Sequence, residues 1–119
     1  MDKKILIIED DLILALSLEM MLKRIGYRNV IKVETGEEAV KTAETYKPDL
    51  LLVDVQLGHG MTGIQAVEII QSKQDVPALY VTGNSDQYFR EKAEKTRFIQ
   101  YLIKPITYNE LNEILCTHA

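Results

Sequence analysis

Two short apolar runs in this chain end in acid. Ile5-Leu6-Ile7-Ile8 is closed by Glu9-Asp10-Asp11, and Leu50-Leu51-Leu52-Val53 is closed by Asp54. Two carboxylates about 4 Å apart repel by roughly 4 kcal/mol at an effective dielectric of 20. If the two runs lie side by side, Glu9, Asp10 and Asp54 converge, and a proton or a cation must offset their charge. An all-oxygen cluster suits a hard divalent ion, and magnesium is the one expected. Two further groups close later runs: the hydroxyl of Thr82 follows Leu79-Tyr80-Val81, and Lys104-Pro105 follows Phe98 to Ile103. Carboxylates, a hydroxyl and an ammonium at four such ends supply one candidate site.

The elements that would position these groups alternate along the chain. Uninterrupted apolar runs between turn signals and helical patterns read as strands buried on both faces of a parallel sheet. Strands are expected near 4–9, 29–33, 50–54, 77–82 and 98–103, and helices near 11–25, 36–46, 62–73, 86–95 and 107–116. In the first helix Leu14, Ala15, Leu18, Leu22 and Ile25 form one apolar face, Ser17, Glu19, Lys23 and Arg24 lie elsewhere, and Gly26 stops it. Thr35 with Glu38, Thr62 with Gln65, and Thr107 with Glu110 have the spacing of capping boxes, and Asp11 is read as the cap of the first helix. Lys32 and Gln100 interrupt the second and fifth runs, which marks those strands as edges. Strict alternation then gives an α/β fold with helices on both faces of a doubly wound five-stranded parallel sheet. The order 2-1-3-4-5 makes strands one and three neighbours, and ligands in such sheets bind beyond the carboxyl ends of the strands. The fourth helix has only Phe89 and Ala93 as strong apolar anchors, which predicts a weakly held element.

Bulk properties bound the function. The 119 residues are read as one domain, 1–119, large enough to bury a core without staples. A formal net charge of -4 offers no basic stripe, so direct nucleic-acid binding by this chain is not expected. The single Cys116 excludes an internal disulfide and has no metal-ligand spacing, which fits a cytoplasmic protein. No run is long enough for a signal peptide or a membrane span.

The acidic pair, the lone aspartate, the hydroxyl residue, an aromatic residue and the Lys-Pro stand in an order and at intervals that resemble the receiver domains of two-component response regulators, flavodoxin-like in fold. The resemblance covers the chain from Lys4 through the last helix. It implies that Asp54 accepts a phosphoryl group from a phosphohistidine on a sensor histidine kinase or phosphotransfer protein. It implies a magnesium ion held by Glu9, Asp10, Asp54 and the backbone carbonyl of Gln56, with Glu9 reaching the ion through water. Lys104 matches the lysine that pairs with the acceptor and then with a phosphoryl oxygen, and the Lys104–Pro105 peptide is expected to be cis. Thr82 and Tyr101 match the hydroxyl and aromatic pair of the family's conformational switch. Gln56 and Asn84 occupy the two positions that tune dephosphorylation. Output, or a homodimer, is expected through the fourth helix, fifth strand and fifth helix. The chain departs from the family in the loop after Asp54, where Gly58 stands in place of a frequent proline and the loop is one residue longer than the commonest form. His59 and His118 are read as solvated.

Two other classes fit less well. A magnesium-dependent phosphatase or phosphotransferase with a nucleophilic aspartate places a second aspartate two residues on, where this chain has Gln56. A degenerate receiver that only binds proteins would have lost the acceptor, the acidic pair or the lysine, and all are present.

Overall fold

The computed structural model describes residues 3–58, 60–83 and 87–118. Its elements alternate as β1 (Lys4–Ile8), α1 (Leu12–Ile25), β2 (Asn29–Val33), α2 (Gly36–Tyr46), β3 (Leu50–Val53), α3 (Gly63–Gln71), β4 (Ala78–Thr82), α4 (Gln87–Ala93), β5 (Phe98–Ile103) and α5 (Tyr108–His118). The strands form one parallel sheet in the order β2-β1-β3-β4-β5. The apolar runs Ile5–Ile8, Leu50–Val53 and Ala78–Thr82 are buried throughout, as central strands covered on both sides must be. β2 and β5 are the edges. Lys32 on β2 is exposed and pairs with Glu19 of α1 at 2.5 Å, a charge on an edge that discourages further strand pairing.

The pleat divides the core in two. Leu6, Ile8, Leu51, Val53 and Tyr80 point to one face, where they meet Ala39 and Ala43 of α2, Ile64, Val67 and Ile70 of α3, and Ala93 of α4. Ile5, Ile7, Leu52, Leu79 and Val81 point to the other, against Ala15, Leu18 and Leu22 of α1 and Leu111 and Leu115 of α5.

The helix ends follow their caps. Asp11 accepts from the Ile13 and Leu14 amides to start α1, and Gly26, at φ 128°, returns its N–H to the Leu22 carbonyl to end it. Thr62 with Gln65 and Thr107 with Glu110 form reciprocal boxes. At α2 only half of the expected box forms: Thr35 accepts from the Glu38 amide, while the Glu38 carboxylate turns to the Thr35 hydroxyl. α3 stops two residues short of 73, where the Lys73 amide turns to the Ile70 carbonyl in an i→i−3 bond. α5 runs two residues beyond 116, where the Thr117 hydroxyl bonds the Glu113 carbonyl. The expected start of the fourth helix, Asp86, lies outside the described residues.

α1 departs from the expected pattern in one respect. Its Leu18 stripe is buried, yet Leu12, Ile13, Leu16 and Met20 are also apolar, and they face solvent, Ile13 at 82% exposure. Ile13, Leu16 and Met20, with Arg24 and Tyr108, line an open apolar groove, and the Arg24 guanidinium lies 4.0 Å from the centre of the Tyr108 ring.

Candidate functional site

The pairing of β1 with β3 builds the site. Ile8 stands opposite Val53, and the Asp54 amide donates to the Ile8 carbonyl at 2.9 Å, so the residues that follow both strands emerge together. Glu9, Asp10 and Asp54 each offer a carboxylate oxygen, and these oxygens lie within 4.8 Å of one another. Glu9 and Asp54 are buried, at 2% and 7% exposure, while Asp10 is open to solvent.

Lys104 reaches this cluster from the end of β5. Its Nζ donates to Glu9 Oε1 at 2.9 Å and to Asp54 Oδ2 at 3.0 Å. The amide of Lys104 donates to the Thr82 carbonyl, which ties the lysine's origin to the end of β4. The Lys104–Pro105 peptide is cis. The other Asp54 oxygen, Oδ1, accepts from the Gln56 amide at 3.2 Å, so both oxygens of this carboxylate are engaged and its plane is set. Glu9 Oε2 likewise accepts from the Asp11 amide.

The electrostatics are those of a site with too much negative charge. Three carboxylates face one ammonium. Burial, helped by the neighbouring Asp54 charge, pushes the Glu9 carboxyl up to about 7, although the bonds from Lys104 and the Asp11 amide pull the other way. Burial alone would lower Lys104, but its bonds to Glu9 and Asp54 outweigh that and hold the ammonium above its usual value. A hard divalent cation fits this donor set: three carboxylates within reach of one point, one of them solvent-facing, with an uncompensated charge.

Thr82 ends β4, 1% exposed, opposite Ile103 across the β4–β5 pair. Tyr101 lies one strand over with its ring turned inward, 6% exposed. Its ring centre is 5.9 Å from that of Tyr80, and the Arg90 guanidinium of α4 lies 5.3 Å from it. Gln56 is exposed beside Asp54, and among the described residues no atom lies within 4 Å of a would-be side chain at Gly83. Asn84 and His59 lie outside the described residues, and His118 is exposed near the end of α5.

The loop after Asp54 carries what sequence reasoning missed. The Gly58 amide donates to Asp10 Oδ2 at 3.0 Å, and the Met61 amide donates to Glu37 Oε2 at 3.2 Å. Met61 covers the start of α2, where a side chain at Gly36 would meet its Cγ at 2.3 Å. Gly63 packs so close to the Asp54 carbonyl that a Cβ would stand 2.0 Å from it. A glycine in place of the frequent proline was the one available signal for the first of these contacts, since only a residue with an N–H can make it.

Residues 5–116 match the response regulator receiver domain family. The transcriptional regulatory protein PdtaR of Mycobacterium tuberculosis is 35% identical over 109 residues, covering 92% of this chain and 53% of that protein. The alkaline phosphatase synthesis transcriptional regulatory protein PhoP of Bacillus subtilis is 35% identical over 113 residues, covering 94% and 46%. The chain therefore spans about half the length of the curated relatives it matches. Among solved structures, the receiver domain of a sensor histidine kinase from Pseudomonas aeruginosa PAO1, with magnesium coordinated in its active-site cleft, superposes with a TM-score of 0.84 at 33% identity, covering 98% of this chain and 97% of that one.

Proposed function

The chain belongs to the response regulator receiver domain family, and from that premise we propose that it is a phosphoryl-accepting signalling switch with Asp54 as the acceptor. The observation that carries the reading is the Lys104 ammonium bridging Glu9 and Asp54 beside the acidic trio. An Asp54 oxygen attacks the phosphorus of a phosphohistidine on a histidine kinase or phosphotransfer protein. The O–P bond forms as the P–N bond breaks, and the imidazole leaves with the bonding pair. Burial and two hydrogen bonds hold the Asp54 carboxylate in one orientation, which removes the cost of aligning it at the moment of attack. Lys104 then exchanges a carboxylate partner for a phosphoryl oxygen, a task suited to a mobile point charge.

Glu9, Asp10 and Asp54, with the Gln56 carbonyl, are the residues that would hold magnesium. When bound, the ion neutralises charge on the transferring phosphoryl oxygens. The protein is a regulator that assists its own phosphorylation and dephosphorylation, with Gln56 and Asn84 tuning the second. Among the described residues no helix is long and apolar enough to cross a membrane, and a cytoplasmic location agrees with a kinase partner. The test is intact-mass analysis after incubation with magnesium and acetyl phosphate. The wild type gains one phosphoryl group and Asp54→Asn gains none; equal uptake by the variant would remove Asp54 from the role.

A further inference from the structure

The loop after β3 is held by two carboxylates from opposite sides, Asp10 at the end of β1 and Glu37 in the first turn of α2. Only the first belongs to the acidic trio. A carboxylate has two oxygens and about four lone-pair directions, so Asp10 can keep the Gly58 amide on Oδ2 while its remaining capacity faces a cation. A carboxylate held this way has one orientation instead of several, which is the role outer hydrogen bonds play at metal centres.

The packing leaves little slack. A Cβ at Gly58 would stand 3.1 Å from Asp10 Oδ2, tight enough to shift that oxygen by tenths of an ångström. Gly58 is not among the residues with positive φ, so alanine fits its backbone and keeps the donor. Proline removes the donor and puts its Cδ where the amide hydrogen points, straight at the same oxygen. Asp10 and the loop cannot keep their present arrangement with proline there.

We propose that Gly58 is a positioning residue of the cation site, its amide fixing the Asp10 carboxylate for the ion. The proposal rests on the reading of Glu9, Asp10 and Asp54 as a magnesium site. Glu37 supplies the control, because it holds the same loop without touching Asp10.

Magnesium affinity is measured by calorimetry for the wild type, Gly58→Ala, Gly58→Pro and Glu37→Ala, and backbone amide exchange for the wild type and Asp10→Ala without metal. Losing an outer hydrogen bond costs about tenfold or more in metal affinity, so Gly58→Pro should bind about tenfold more weakly. Gly58→Ala should fall between the wild type and Gly58→Pro, since it keeps the amide but crowds Asp10 Oδ2, and Glu37→Ala should stay within about twofold, since it leaves the Asp10 hydrogen bond in place. The Gly58 amide should exchange slowly in the wild type and faster in Asp10→Ala. Wild-type affinity in Gly58→Pro, an equal loss in Glu37→Ala, or a Gly58 amide indifferent to Asp10 would overturn the proposal. The exchange comparison stands even if Gly58→Pro does not fold. A wild type that binds no magnesium at all would overturn the cation reading itself, a result separate from the behaviour of the Gly58 amide.

Discussion

A carboxyl group buried beside a second carboxylate gives up its proton reluctantly, and Glu9 is such a group. Its value of about 7 stands above the 4.5 of a free glutamate. Between those values the folded chain holds a proton that the unfolded chain has released. The resulting stabilisation is therefore complete below about 4.5 and is lost as pH rises through about 7. With chelator present, the protein should melt at a lower temperature near pH 8 than near pH 6, and Glu9→Gln should flatten that difference. A cation competes with the same proton, so magnesium should bind more tightly as pH rises through about 7. Calorimetric titrations at the two pH values check this, and Glu9→Gln should show little change between them. The charged side chains of the site were legible because each follows a strand-like run, uninterrupted before Glu9 and Asp54 and broken only by Gln100 before Lys104. The Met61 contact was not, and the Gly58 contact left only the hint of a glycine in place of a frequent proline, because the partner of each amide lies dozens of residues away.

Among the elements, α1 is apolar around more of its circumference than the sheet can cover. The Leu14–Leu18–Leu22 stripe predicted its inner face. Leu12, Ile13, Leu16 and Met20 are equally apolar, and sequence alone cannot say which apolar side of a helix stays uncovered. This outer face begins directly after Asp10 and Asp11. On the proposed function, a phosphohistidine donor would bring its phosphorus to Asp54 and so would approach the start of α1. Ile13→Lys should change stability by no more than about 0.5 kcal/mol, as exposed substitutions do. It should leave uptake from acetyl phosphate intact and slow transfer from a phosphohistidine protein. Equal slowing with both donors would place the residue's effect in the pocket instead. α4 fits its prediction of sparse anchoring: Ala93 is fully buried and Phe89 only partly. The predicted anchors were sound, but the bond that fastens the end of the helix was not foreseen. The Thr96 hydroxyl gives its one hydrogen to the Ala93 carbonyl at 2.6 Å, so the Tyr80 hydroxyl is the donor in the 2.7 Å contact between Tyr80 and Thr96. Thr96→Val would leave that buried phenol unpartnered, at a cost of about 1–3 kcal/mol. Denaturant unfolding measures it.

For the molecule as a whole, polarity separated edge from central strands, and the doubly wound pattern supplied the order among them. Lys32 and Gln100 marked the edges, and the three uninterrupted runs marked the centre. What that reading could not place is the Tyr101 ring, because an edge strand has one covered and one open face and its tyrosine can take either. Here the ring is turned inward against Tyr80. A switch that moves from 1:99 to 99:1 needs about 5.5 kcal/mol of differential stabilisation, and one hydrogen bond to a charged group gives about 1.5–3. In the proposed switch Thr82 alone would be too weak, so Lys104, the cation and loop closure would share the change. Thr82→Ala should accept phosphate yet switch incompletely. Chemical-shift changes on adding a beryllofluoride mimic should extend beyond the pocket to Tyr101 and α4 in the wild type, and stop short of them in the variant. The Tyr80–Thr96–Ala93 chain adds a mechanical constraint to any such change. Tyr80 is fully buried in a central strand, its ring within 6.0 Å of Phe98 and 5.9 Å of Tyr101, so the C-terminal end of α4 is bolted to the part of the protein least able to move. A rod fixed at one end is a lever. With seven residues, α4 gives an arm of about 10 Å, and a swing of about 10° about Thr96 would carry the opposite tip by roughly 2 Å. That tip is the end that follows β4, so any such swing would be largest towards the end of β4 and smallest at the pivot.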